Sequence, residues 1–129
     1  MSEHRLPHDR NSVPLARSIA SDAVTDSLQP TERDNFVLMV SELVSNSIRH
    51  APPEPDGGIV LKLDVDDAKA RAAVIDGGRR FDFERATFDP KTPHFGLMLV
   101  DQLASRWGLA LEGEKAVWFE IGPETDEAP

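Results

Sequence analysis

One stretch sets the terms for the rest of the chain: Leu38-Met39-Val40-Ser41-Glu42-Leu43-Val44-Ser45-Asn46-Ser47-Ile48-Arg49-His50-Ala51. It is apolar at helical spacing. Phe36, Val37, Val40, Leu43, Val44 and Ile48 fall on one stripe suited to a core. An α-helix advances about 100° per residue, so Glu42 and Asn46, four residues apart, come within roughly 40° of each other. A carboxylate and a carboxamide therefore share the edge of a core-facing helix. The carboxylate there can take a proton or orient a metal's water shell, and the amide oxygen can ligate a hard cation.

The flanking segments follow from their own spacing. Glu3 to His8 reads as a short edge strand, and Asp9-Arg10-Asn11 as a turn. Ser12 is a candidate cap for a helix with Pro14 in its first turn, and Val13, Ala16, Ile19, Ala20, Ala23, Val24 and Leu28 recur along it. Gln29-Pro30 closes that helix. Thr31-Glu32-Arg33-Asp34 has the form of a capping box for the next one, which stops before Pro52-Pro53. Ile59, Leu61, Leu63 and Val65 alternate with Val60, Lys62 and Asp64, the period of a half-buried strand. Ala70 to Asp76 is a second strand, paired with the first in a hairpin through Asp66-Asp67.

Residues 79–95 have no clear period, are highly charged and contain Pro90 and Pro93; a loop of this length in a small domain is often functional. Gly96 opens a third helix with Leu97, Val100, Leu103 and Ala104 on one face, ended by Gly108 after Trp107. Leu109-Ala110-Leu111, Gly113-Glu114 and Ala116 to Ile121 form a closing hairpin. The expected fold is a two-layer α/β (α+β) sandwich, a mixed or antiparallel sheet with helices on one face. Residues 1–122 read as a single domain and residues 123–129 as an acidic, disordered tail.

Composition excludes several functions. The net charge is −9, unsuited to neutralising nucleic-acid phosphates, so no direct nucleic-acid partner is expected. There is no cysteine, hence no disulfide framework and no thiolate zinc site. Apolar runs are too short to span a bilayer, and Met1 to Arg5 leads into no signal-peptide core, so a soluble, cytoplasmic protein is expected. His4, His8, His50 and His94 share no ligand spacing on any one helix. Ser41, Ser45 and Ser47 lack a nucleophile elbow, and Trp107 and Trp118 are expected in the core.

Two further places invite a ligand. Asp76-Gly77-Gly78 ends a strand where a carboxylate can accept a hydrogen bond from an amino group and adjacent glycines let a ring or phosphate approach the backbone. The same residues also suit an ordinary Asp-Gly turn. Gly96 precedes a helix whose first turn offers unpaired N–H groups to phosphate, or is simply an entry glycine. His50, at the end of the central helix, has the position of a capping or packed histidine.

Taken together these segments resemble one family. Ser41 to Ala51 is similar to the asparagine box of the gyrase/Hsp90/histidine-kinase/MutL ATPases, and more closely to the small anti-sigma-factor serine kinases with their Glu-Leu-x-x-Asn-x-x-x-His-Ala pattern. Val74-Ile75-Asp76-Gly77-Gly78 resembles the first glycine box, Gly96-Leu97-Met98-Leu99-Val100 the second, and Lys115 to Glu120 the final strand. The resemblance implies the Bergerat ATP-binding fold, with ATP and Mg²⁺ as cofactors. It implies Asn46 as the metal ligand, Glu42 as the general base and Asp76 as the reader of the adenine amino group. His50, Gly78, Gly96 and Leu97 would complete the nucleotide pocket. It further implies a serine/threonine protein kinase that sequesters a sigma factor and phosphorylates an anti-anti-sigma partner of the STAS type, and it admits a homodimer.

Three positions depart from the pattern. Arg80 stands where the first box ends in glycine, His94 where the second begins with one, and Ala116 where a threonine often supports the adenine-reading aspartate. These motivate a second reading, a nucleotide-independent protein-binding module of the same fold. A third, the ATPase module of a histidine kinase, lacks a phosphoacceptor helix in this sequence.

Overall fold

A computed structural model describes residues 1–50, 58–75, 95–111 and 114–122. The described elements are β1 (Ser2–Leu6), α1 (Ser12–Val24), α2 (Pro30–His50), β2 (Ile59–Val65), β3 (Ala70–Ile75), α3 (Phe95–Leu103), β4 (Arg106–Leu111) and β5 (Glu114–Ile121). The five strands form one sheet in the order β1-β2-β3-β5-β4, and every pairing is antiparallel. The expected two-layer α/β sandwich is what forms, with the antiparallel form of its sheet.

Strand parity decides which layer each side chain enters. Ile59, Leu61 and Leu63 of β2 pair in register with Leu6, His4 and Ser2 of β1. Leu61 and Leu63 face Val74 and Ala72 of β3, and these face Val117 and Phe119 of β5. The apolar members of this face are buried in the core. Helices cover that face: α1 packs on α2 and β2, α2 on β3 and β5, and α3 on α2 and β4. Ala16 and Ala20, both fully buried, carry no bulk and let α1 approach α2 closely.

Several element ends differ from the sequence reading. The first helix ends at Val24, not at Gln29, although Leu28 is still buried. The carbonyl of Thr25 accepts a hydrogen bond from Arg33 Nη1 of α2 at 2.9 Å, which completes the α1 terminus from outside. Pro30 does not close α1; it is the first residue of α2, where its missing N–H costs nothing. The capping box is accordingly shifted: the Glu32 carboxylate accepts the Gln29 N–H at 3.2 Å. Ser12 does not cap α1 either. Its hydroxyl donates to the Pro7 carbonyl at 2.6 Å and pins the β1–α1 corner.

The third helix stops at Leu103, so Trp107 and Gly108 belong to β4. Gly108 is a strand glycine required by close approach. A Cβ there would lie 2.7 Å from Trp118 Nε1 and 2.9 Å from Trp118 Cε2. Of the two tryptophans expected in the core, Trp107 packs against it and donates from Nε1 to Asp101 at 3.0 Å. Trp118 does not. It is half-buried between the core residues Val117 and Phe119, so it lies on the opposite sheet face, with the Arg71 guanidinium 5.0 Å from its ring centroid.

That opposite face is bound by one ionic row, Arg71 on β3, Glu120 on β5 and Arg106 on β4, adjacent in register. Arg71 Nε reaches one carboxylate oxygen of Glu120 at 2.8 Å, and Arg106 Nη2 reaches the other at 2.7 Å. Burial alone would raise the Glu120 pKa. Hydrogen bonds from Arg106 and Arg71, together with their charges, outweigh it and hold the carboxyl below its ordinary value. A depressed folded-state pKa contributes stability that is complete above the unfolded pKa, near 4.3, and is lost as pH falls through the folded value. Glu120→Gln therefore destabilises the protein by about 1–3 kcal/mol at neutral pH. Its deficit narrows in acid, once the wild-type carboxyl is itself protonated. Urea titrations at pH 7 and in acid check this, and an equal deficit at both would contradict it.

Candidate functional site

The central helix α2 delivers the two residues that chemistry singled out. Phe36, Met39, Val40, Leu43 and Val44 are all buried, and this fixes the rotation of α2 about its axis. Glu42 and Asn46 then fall on the flank beside Met39. Glu42 is half-buried, and among the described residues its carboxylate has no hydrogen-bond or ion-pair partner. Asn46 is 6% exposed, deeper than an open ligand position.

The Asn46 carboxamide is oriented by Arg49, one turn further along α2. Arg49 Nη2 donates to Asn46 Oδ1 at 2.5 Å, and Nη1 reaches Ser45 Oγ at 3.4 Å. A guanidinium only donates, so the atom it meets must be the amide oxygen and not the nitrogen. Arg49 is itself exposed. The oxygen therefore lies on the Arg49 side of α2, within a largely buried residue. Arg49 has no role in the sequence reading, although its spacing of three from Asn46 on a helix was a signal that could have found it.

The α2 flank offers one candidate ligand for a hard cation, the Asn46 oxygen. Among the described residues no group of three or more His, Cys, Asp or Glu could cage a metal. Asn46 would contribute one neutral oxygen, and phosphate and water oxygens would supply the rest, the usual manner of Mg²⁺. The oxygen already accepts from a cation, so its surroundings tolerate positive charge. The neighbouring Glu42 carboxylate adds to that preference.

The remaining expected residues are less closely defined. His50 is the last residue of α2, and Gly96 and Leu97 lie in the first turn of α3; their side-chain surroundings lie outside the described residues. Asp76, Gly78, Arg80 and His94 lie outside the described residues as well, as do residues 79–94 as a whole. Asp76 directly follows β3, the central strand of the sheet. Ala116 is buried in β5, where a methyl group offers no hydroxyl to a neighbour. Ser41 Oγ donates back to the Leu38 carbonyl at 2.9 Å, consistent with a helix-bound hydroxyl and not a nucleophile.

A family model described as histidine kinase-like ATPase domain matches residues 6–119. That span begins at the last residue of β1, ends within β5 and takes in Glu42, Asn46, Asp76 and Gly96. No curated protein matches the chain. Among the described residues no helix is long and apolar enough to cross a membrane.

Proposed function

The chain belongs to the histidine kinase-like ATPase family, and from that premise we propose that it is an ATP- and Mg²⁺-dependent serine/threonine protein kinase acting as an anti-sigma factor. The observation that carries the reading is the α2 flank: a Glu42 carboxylate with no partner among the described residues, one turn before the Asn46 oxygen that accepts from Arg49. Mg²⁺, when bound, would offset phosphate charge in a protein of net charge −9. Phosphoryl transfer asks the protein mainly for positioning and electrostatics. Asn46 would hold the metal, and Asp76 would read the adenine. Glu42 would accept the proton of a serine or threonine hydroxyl as that oxygen attacks the γ-phosphorus. The bond from phosphorus to the β–γ bridging oxygen breaks, and ADP departs with the electron pair. The partners are a sigma factor, which is sequestered, and a STAS-type anti-anti-sigma protein, which is phosphorylated; a homodimer is compatible with this role.

A nucleotide-independent protein-binding module of the same fold is the second reading. It is favoured by the depth of Asn46 and by Arg49 already seated on its oxygen. The test is incubation with γ-labelled ATP, Mg²⁺ and STAS-type antagonists. Label on a serine or threonine of the antagonist supports the kinase. Nucleotide uptake without transfer leaves an ATP-binding regulator, and no uptake leaves the binding module.

A further inference from the structure

The five-stranded sheet has two outer edges, β1 and β4. The β4 edge is irregular. Its register with β5 shifts between Gly108 and Ala110, and such a bulge turns an edge away from further pairing. β1 pairs with β2 without a shift from Ser2 to Leu6. Among the described residues no strand lies on its other side, and no backbone hydrogen bond reaches it there. A regular edge of this kind offers a row of N–H and C=O groups to another chain.

The side chains of this edge complement themselves. Glu3 and Arg5 stand on the sheet face away from the helices, and His4 between them on the helix-covered face. Glu3 is 60% exposed, and among the described residues its ion pair is a long one, to Lys62 Nζ at 3.7 Å. Arg5 is exposed and lies opposite Val60, which offers it no charge. Among the described residues Arg5 has no ion-pair partner. Each copy of the chain thus presents an acid and a base two residues apart, with the base unmatched.

We propose that two copies of this chain join through β1, paired antiparallel about a two-fold axis at His4, so that their sheets merge into one. This register sets Glu3 of each copy opposite Arg5 of the other. It also keeps the helices of both copies on the same side of the joined sheet. A shift of two residues sets Glu3 opposite Glu3 or Arg5 opposite Arg5, and a slip of one turns the second copy's helices to the other side. Main-chain bonds supply the attraction, and the charges fix the register. The interface goes beyond the nucleotide reading and does not depend on it.

The test is sedimentation velocity of the full chain without nucleotide, from low micromolar to near-millimolar concentration. Physiological salt screens the repulsion between two bodies of net charge −9 more than it screens ion pairs in contact. The wild type dimerises with a midpoint in the micromolar range, because a strand of five residues buries less than a standard interface. Glu3→Arg and Arg5→Glu, each alone, set like charges opposite one another at both pairs and raise the midpoint about tenfold or more. Both side chains are exposed, so each variant keeps its far-ultraviolet circular dichroism. Mixed in equal amounts, the two variants associate with each other about as well as the wild type does, since each supplies the charge the other lacks. A wild type that stays monomeric throughout overturns the proposal. So does a midpoint that neither variant changes, or a mixture that associates no better than its parts.

Discussion

On the kinase reading, replacing Glu42 with glutamine lowers phosphoryl transfer to a serine-bearing partner by roughly two to four orders of magnitude, the usual worth of a positioned general base. Nucleotide affinity stays nearly unchanged. Glutamine keeps the length and planarity of the side chain, so the flank of α2 keeps its shape, but its amide accepts no proton at neutral pH. Glu42 suits such a test because it is half-buried and, among the described residues, unpartnered. Among the described residues its removal breaks no ion pair and leaves no orphaned cation, so lost activity reads as lost chemistry. A time course of label transfer, with calorimetry on the same samples, makes the measurement. Retained transfer with retained binding would remove Glu42 from the mechanism.

The largest stability effect falls on Phe36. Its ring meets that of Phe119 with centroids 5.4 Å apart and planes tilted by 59°, and both side chains are fully buried. This contact joins α2, the helix of Glu42 and Asn46, to β5. Phe36→Ala removes the ring and leaves a cavity that α2 and the sheet close only in part, a loss of about 3–5 kcal/mol. A domain of this size holds only about 5–15 kcal/mol in total, so the variant approaches the unfolding threshold. The urea midpoint falls while the slope is retained. Phe119→Ala costs a similar amount. The double variant costs less than the sum by about 0.5–1.5 kcal/mol if the ring pair contributes beyond area burial. A loss for Phe36→Ala of under about 1 kcal/mol would mean that the site closes over the cavity and that this contact is not what seats α2.

Where the sequence could be read, one local pattern coincided with one surface. Ile59 to Val65 alternates because that strand is buried on one face, and its bounds are those expected. The stripe on α2 is visible for the same reason. Where reading failed, two causes produced the same pattern. Leu28 extends the spacing of α1 because it is buried, yet the chain has already left the helix at Val24. Gly108 after Trp107 has the form of a helix stop, yet it is a strand residue kept small by the indole of Trp118.

The row of Arg71, Glu120 and Arg106 was not legible at all. Its members meet only through strand order and register, which no local spacing encodes. The candidate site shows the same division. Glu42 and Asn46 share a helix, so their proximity follows from sequence, and so would Arg49's. What the residues around Asp76 and Gly96 do depends on how separate segments converge, and spacing within one segment does not report it.

On the proposed reading, Asn46 holds the metal of a bound nucleotide. This is tested most directly by titrating ATP into the wild-type chain and Asn46→Ala, each with Mg²⁺ and each with the metal chelated. The account expects Mg²⁺ to strengthen binding to the wild type and to have little effect on Asn46→Ala, whose two isotherms nearly coincide. Mg²⁺ dependence that survives intact in Asn46→Ala, or a wild type that takes up no ATP under either condition, would contradict it.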